Sequence, residues 1–272
     1  EKILNWSLKE PENFWSTIWD FCKVKGIKSK QKMKKSDIFY KNIFLPKSKL
    51  NFSENLLSKK NITKAVTFIS ENGFREERSW EDLSKNVSKL VFFFKKNNIK
   101  KKDRIAAYMP NLIETVESFI ATASIGAVWS SCSPDFGVNG VIERFSQIKP
   151  KVLILGDKYF YNGKEINVIE RAPEIINKIS SIKFLIIIKY PGSKYIKHQY
   201  KFNKKIKVFS WDNIKKNEPT KLNFPKFDFE HELTILYSSG TTGKPKCICH
   251  RAGGVLLQHL KEHKLHCNVK PG

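Results

Sequence analysis

Between residues 65 and 267 the sequence switches repeatedly between two periodicities, and this restricts the fold more than any other feature. Short apolar runs at 65–70, 104–109, 127–131, 151–155, 184–188, 207–211 and 233–237 have strand length. Stretches at 79–98, 113–124, 138–147, 165–180 and 250–267 carry apolar residues at helical spacing. Strands that are apolar at nearly every position are buried on both faces. The expected fold class is therefore α/β, a mostly parallel sheet flanked by helices. Ser79-Trp80-Glu81-Asp82 resembles a capping box opening the helix at 79–98.

The first sixty residues read differently. Residues 11–25 suit an amphipathic helix, with Pro11 in its first turn and Phe14, Trp15, Ile18, Trp19 and Cys22 on one stripe. Residues 28–35 form a basic linker, and 36–60 look irregular. There Phe39, Tyr40, Phe44, Leu45, Leu50 and Phe52 are the expected anchors onto a neighbouring surface. We read residues 1–62 as a capping segment rather than an independent domain.

Composition narrows the function classes. The chain has 272 residues, 40% of them hydrophobic, which is enough to build a core and excludes wholesale disorder. No apolar run reaches the roughly 18 residues of a membrane-spanning helix, so no membrane partner is expected. Lys+Arg number 50 against 26 Asp+Glu, a net charge of +24. That charge raises a basic nucleic-acid-binding module as an alternative class. The arginines stand only at 75, 78, 104, 144, 171 and 251, however, and the lysines are scattered. Nucleic-acid readers recruit Arg for bidentate contacts. A solvated Lys-rich surface is the expectation, with no nucleic-acid partner. The five cysteines are odd in number and form no CxxC pair, which suits free thiols and a cytoplasmic location.

The chemistry concentrates in residues 233–254, LTILYSSGTTGKPKCICHRAGG. They read as a strand, a hydroxyl-rich loop and then a helix. Ser238, Ser239, Thr241 and Thr242 supply four hydroxyls. Gly240 and Gly243 let the backbone turn tightly and aim its N–H groups at an anion. Lys246 adds positive charge, Pro245 stiffens its approach, and the following helix is expected to add its N-terminal dipole. The loop differs from a Walker A motif: only two residues separate Gly240 from Gly243, and Lys244 precedes Pro245.

YSSGTTGKPK resembles the phosphate-loop signature of the adenylate-forming acyl-CoA synthetases, and the upstream order of strands and helices is similar to that family's large N-terminal domain. Three further runs resemble the acetoacetyl-CoA synthetase branch: KCICHRAGGVLLQHLKEHKLH at 246–266, MPNLIETVESFIATASIGAVWSSCSPDF at 109–136, and WSLKEPENFWSTIWDFC at 6–22. Cys247 stands where the wider family usually has Gly. The resemblance implies that 63–272 is an AMP-binding (adenylation) domain. It also implies ATP, Mg2+ and CoA as cofactors or substrates, and acetoacetate as the acid. Acetate, propionate and 3-hydroxybutyrate are alternative acids.

On that resemblance, Ser239, Gly240, Thr241, Thr242 and Gly243 wrap the β and γ phosphates, Ser238 supports the turn, and Lys246 compensates charge. Lys246 and Thr241 are the residues expected to stabilise the departing pyrophosphate. The family's adenine- and ribose-binding motifs, its hinge and its catalytic Lys belong downstream of this loop. Residues 1–272 are accordingly expected to be incomplete at the C-terminus, inactive alone, and partnered by the missing C-terminal portion of the same enzyme.

Other constellations carry less. His259 and His263 have metal-ligand spacing, with His266 and Cys267 nearby, but no HExxH accompanies them and no metal site is expected. Cys247, Cys249 and His250 suggest a thiol nucleophile that the implied reaction does not need. Residues 129–135 read as a packed turn beside the active site, and Phe92-Phe93-Phe94 as core.

Overall fold

The computed structural model describes residues 1–58, 61–192, 202, 205–238 and 243–270. Its centre is a seven-stranded sheet. In chain order the strands are β1 (Arg104–Tyr108), β2 (Val128–Cys132), β3 (Val152–Gly156), β4 (Phe184–Ile188), β5 (Lys207–Ser210), β6 (Glu232–Ser238) and β7 (Lys246–Arg251). Their spatial order is β5-β4-β3-β1-β2-β6-β7, and every neighbouring pair is parallel except β6–β7. All five residues of β3 are buried, as burial on both faces requires.

Two helical layers cover the sheet. Helix α4 (Trp80–Lys96) packs with α5 (Ile113–Ser124) and α8 (Trp211–Lys215), whereas α6 (Val138–Ile148) packs with α7 (Ala172–Lys178). The step from β1 through α5 to β2 runs one way along the sheet, and the step from β2 through α6 to β3 returns past β1. Right-handed crossovers therefore place α5 and α6 on opposite faces. The sheet reverses its winding at β1, and ligands of open α/β sheets bind at the carboxyl ends of strands beside such a reversal.

The expected strands and helices around 104–156 and 184–188 are present within a residue or two. Ser79 caps α4, accepting from Asp82 N at 3.0 Å. Residues 165–180 differ. Lys158–Tyr161 and Lys164–Asn167 form an antiparallel hairpin, and the helix covers only Ala172–Lys178. Asn162 (φ 50°) and Gly163 (φ 72°) make its turn, and two consecutive left-handed residues favour a hairpin over a helix. A second hairpin pairs Lys64–Ile69 with Arg75–Ser79, a strand the periodicity did not announce.

The N-terminal residues share a separate apolar core with the last helix. Phe14, Ile18 and Trp19 of α2 (Pro11–Phe21) are buried with Leu45, Leu50 and Phe52 against Phe229, Leu233 and Leu256, the last in α9 (Ala252–Lys261). Asn51 ties this region down. Its side chain accepts from Ser53 N at 3.0 Å and donates to Ser124 O at 3.0 Å and Pro225 O at 2.9 Å. Phe39 and Tyr40 were expected to anchor as well but are 89% and 80% exposed. A short 3-10 turn over Phe39–Lys41 carries them outward. Phe93 and Phe94 are core, whereas Phe92 is exposed because three consecutive helical positions cannot share one face.

Candidate functional site

The two stems of the hydroxyl-rich loop, the end of β6 and the start of β7, lie at the carboxyl edge of the sheet. The expected order was strand, loop, helix. Instead the chain returns along β6 as β7, with Ser238 opposite Lys246 and Tyr237 opposite Cys247. The loop is thus a hairpin connection, and α9 begins only at Ala252. A six-residue strand of about 20 Å separates loop from helix, so the α9 dipole does not reach the loop. Strand passes to helix between Arg251 and Ala252, and Gly253 and Gly254 lie in the first turn of α9.

Ser238, Gly243 and Lys246 lie at the two stems. Ser238 ends β6 and is half-buried, Lys246 opens β7 and is exposed, and Gly243 has φ 113°, a left-handed conformation that favours glycine. A Cβ at Gly243 would meet nothing within 4 Å, so backbone conformation rather than space calls for glycine there. Ser239, Gly240, Thr241 and Thr242 lie outside the described residues.

Helix α6 grips both stems. On the entry side, Ser130 of β2 donates to Ile235 O at 2.8 Å and lies 3.2 Å from Tyr237 Oη, which donates to Arg144 O at 3.2 Å. Burial pushes the Tyr237 phenol above its usual range. On the exit side, Gln147 donates to Pro245 O at 2.9 Å and accepts from the Cys247 thiol at 3.6 Å. The Arg144 guanidinium lies 4.1 Å from the centre of the Phe136 ring. None of Ser130, Arg144, Gln147 or Tyr237 was identified as a site residue from sequence. Arg144 and Gln147 do stand at helical i, i+3 spacing, which puts them on one face, but their partners are about a hundred residues away.

Next to these stems, a cavity of about 310 Å³ opens beyond the ends of β1, β2 and β3. Asn111, Thr115, Ser133, Asp135 and Tyr159 give it a polar lining. Its rim at 133–136 is braced from below. Arg171 donates to Pro134 O at 2.8 Å and to the Tyr108 hydroxyl, and Tyr108 in turn donates to Phe136 O. Burial raises the Tyr108 phenol, with Arg171 opposing. Only part of 129–135 belongs to this rim. Trp129 is buried within β2 and packs edge-on against Phe119 at 6.0 Å, whereas Ser133 and Asp135 face the cavity.

The thiols of Cys132, Cys247 and Cys249 are poor nucleophiles. Burial pushes Cys132 up to about 12 and also raises Cys247 and Cys249, so each stays protonated near neutral pH. His259 and His263 have ring centres 6.4 Å apart, and His266 turns to Glu262 at 3.4 Å as the helix continues in a π turn over Glu262–His266. Among the described residues no three His, Cys, Asp or Glu side chains converge on a metal position. No described helix is long and apolar enough to cross a membrane.

Known proteins resemble this chain along nearly its whole length. A family model described as AMP-binding enzyme matches residues 58–269. The acetoacetyl-coenzyme A synthetase of Rhizobium meliloti (strain 1021) is 40% identical over 269 residues, covering 98% of this chain and 40% of that protein. The acetoacetyl-CoA synthetase of Gallus gallus is 36% identical over 274 residues, 98% of this chain and 41% of its own length. A malonamoyl-CoA synthetase of Penicillium aethiopicum is 32% identical, covering 100% of this chain and 39% of itself. Among solved structures, acetoacetyl-CoA synthetase from Streptomyces lividans superposes with a TM-score of 0.88 at 28% identity, covering 98% of this chain and 40% of that one. The chain thus spans about 40% of the length of these relatives.

Proposed function

We propose, for a chain that belongs to the AMP-binding enzyme family, that its protein activates acetoacetate to acetoacetyl-CoA. The observation that carries this reading is the hairpin that sets Ser238 across from Lys246 at the carboxyl edge of the sheet, closing a hydroxyl-rich loop. The relatives, named as acetoacetyl-CoA synthetases, support the same reaction. In the first step a carboxylate oxygen of acetoacetate attacks the α phosphorus of ATP, and the bond to the bridging oxygen breaks to release pyrophosphate. In the second, the CoA thiolate attacks the acyl carbonyl and AMP leaves with the bonding electrons. The protein's part in the first step is electrostatic. Backbone N–H groups and hydroxyls of 238–243, with the Lys246 ammonium, take up charge that grows on the leaving group. Mg2+ enters with ATP and neutralises phosphate charge.

The polar cavity bounded by Asn111, Ser133 and Tyr159 lies on the same edge and suits a second polar substrate. Residues 1–62 act as a capping segment on the 63–272 adenylation domain; the shared core with α9 supports this. A cytoplasmic location belongs to the same reading, supported by five unpaired cysteines. The malonamoyl-CoA relative favours a second acid. Malonamate, like acetoacetate, carries a carbonyl β to its carboxylate, so the pocket selects a short β-carbonyl acid.

The test is acid-dependent ATP–pyrophosphate exchange by the intact protein that carries this sequence, with acetoacetate, malonamate, acetate, propionate and 3-hydroxybutyrate. Lys246→Ala combined with Thr241→Ala is expected to lower exchange at least about tenfold, roughly 1.4 kcal/mol of transition-state stabilisation. Exchange at the wild-type rate in that double variant would remove the loop from the mechanism.

A further inference from the structure

We propose that Gln147 is a positioning residue for Lys246. The inference rests on the reading of Lys246 as a phosphate-binding side chain. Gln147 belongs to the last turn of α6, 98 residues before Pro245. Its Nε2 donates to Pro245 O at 2.9 Å and to Glu143 O at 2.9 Å, and its Oε1 accepts from the Cys247 thiol at 3.6 Å. Only one orientation of the amide meets all three partners, since two are acceptors and one is a donor.

Pro245 and Cys247 flank Lys246, so one side chain meets the chain on both sides of it, at a backbone carbonyl and at a thiol. Cys247 turns its thiol toward α6, and alternation along β7 sends Lys246 toward the opposite side. The entry stem is tied to the same helix through the Tyr237 hydroxyl and Arg144 O. Tyr237 and Cys247 are register partners, which makes α6 the common reference for both ends of the loop. A freely hinged hairpin at the sheet edge would let the ammonium sweep through many positions. The two Gln147 bonds to Pro245 and Cys247 restrict that sweep, while the bond to Glu143 O holds Gln147 against its own helix.

Gln147 is itself exposed, and this makes the idea testable. Replacing it opens no cavity, so positioning separates from packing. The experiment measures ATP–pyrophosphate exchange with acetoacetate in the intact protein, for wild type, Gln147→Met, Lys246→Ala and the double variant. Met keeps the length of Gln and removes its donor and acceptor. Loss of about one net hydrogen bond corresponds to a roughly fivefold rise in KM for ATP. KM for acetoacetate and the thermal midpoint are expected to stay at wild-type values.

In the Lys246→Ala background Gln147→Met is expected to add nothing, because the residue acts through Lys246. An unchanged KM for ATP in Gln147→Met would overturn the proposal. So would an effect that persists without Lys246, or one that tracks a loss of thermal stability. Absence of acid-dependent exchange in the wild-type protein overturns the functional reading along with it. Normal wild-type exchange with an indifferent Gln147→Met removes only the positioning role.

Discussion

Glu117 of α5 is fully buried, and its charge state decides part of the pH dependence of stability. Its Oε1 accepts from Asn86 Nδ2 at 2.7 Å and Arg78 Nε at 3.2 Å, whereas its Oε2 has no hydrogen-bond partner. Arg78 is shared. It also meets Glu76 at 2.7 Å and the buried Glu114 at 3.6 Å. One guanidinium therefore faces three carboxyl groups. Burial pushes Glu117 from its usual 4.5 up to about 7; Asn86 and Arg78 pull the other way, and Glu114 adds to the rise. Burial also raises Glu114, with Glu76 adding to the rise and Arg78 and Lys215 opposing.

A carboxyl whose folded pKa is raised stabilises the fold through its protonated form. That contribution is complete below the unfolded value, erodes as pH climbs from 4.5 to about 7, and is gone above. Between about pH 5 and about pH 8 the wild type should lose about 2–3 kcal/mol relative to Glu117→Gln, which keeps the shape and cannot ionise. Unfolding of both proteins across this range measures the difference directly. Infrared difference spectra against the variant should also show a protonated carboxyl at mildly acidic pH that vanishes as pH rises. Parallel pH profiles for the two proteins, or no such carboxyl signal, would refute the reasoning.

Two substitutions probe the seam between the N-terminal residues and the rest. Gly253→Ala would place a Cβ 2.2 Å from the ring of buried Phe229. Such overpacking should cost about 1–3 kcal/mol by thermal unfolding, while Gly254→Ala, with nothing within 4 Å, serves as the neutral control. Asn51→Ala removes the cap of Phe52–Leu56 and leaves the carbonyls of Ser124 and Pro225 without their donor. The expected loss is about 2–4 kcal/mol, with faster hydrogen exchange at Ser53 and Glu54. Asn51→Asp keeps the acceptor but turns a buried carboxylate oxygen onto those two carbonyls, and should cost at least as much as Asn51→Ala.

The local signals that proved legible share a cause. Phe184–Ile188 and Ile113–Ser124 have in the structure the bounds their periodicity implies, because burial on one face or both writes itself directly into residue type. Residues 165–180 misled because Ile166, Ile169, Ile175 and Ile176 also fit a helical stripe. Asn162-Gly163 was the overriding signal there. The expected helix at 250–267 begins only at Ala252, and His250 and Arg251 join a strand with 246–249, since pairing with β6 satisfies backbone groups that the short KCICHR run could not satisfy alone. Phe39 and Tyr40 show the limit of counting aromatics as anchors: residue type reports a preference for burial, and a local turn decides whether it is met.

From sequence alone, the strand–helix alternation determines a mostly parallel α/β sheet, and YSSGTTGKPK marks the loop proposed here to hold an anion. Both are encoded locally, one in periodicity and the other in a contiguous motif. Tertiary structure alone decides what holds the motif in place. Gln147, Arg144 and Ser130 reach the loop stems across roughly a hundred residues of chain. Arg78, Glu114 and Glu117 converge from a hairpin and a helix. Such contacts depend on which strands become neighbours, and strand order is set by long-range packing that no short stretch of sequence records.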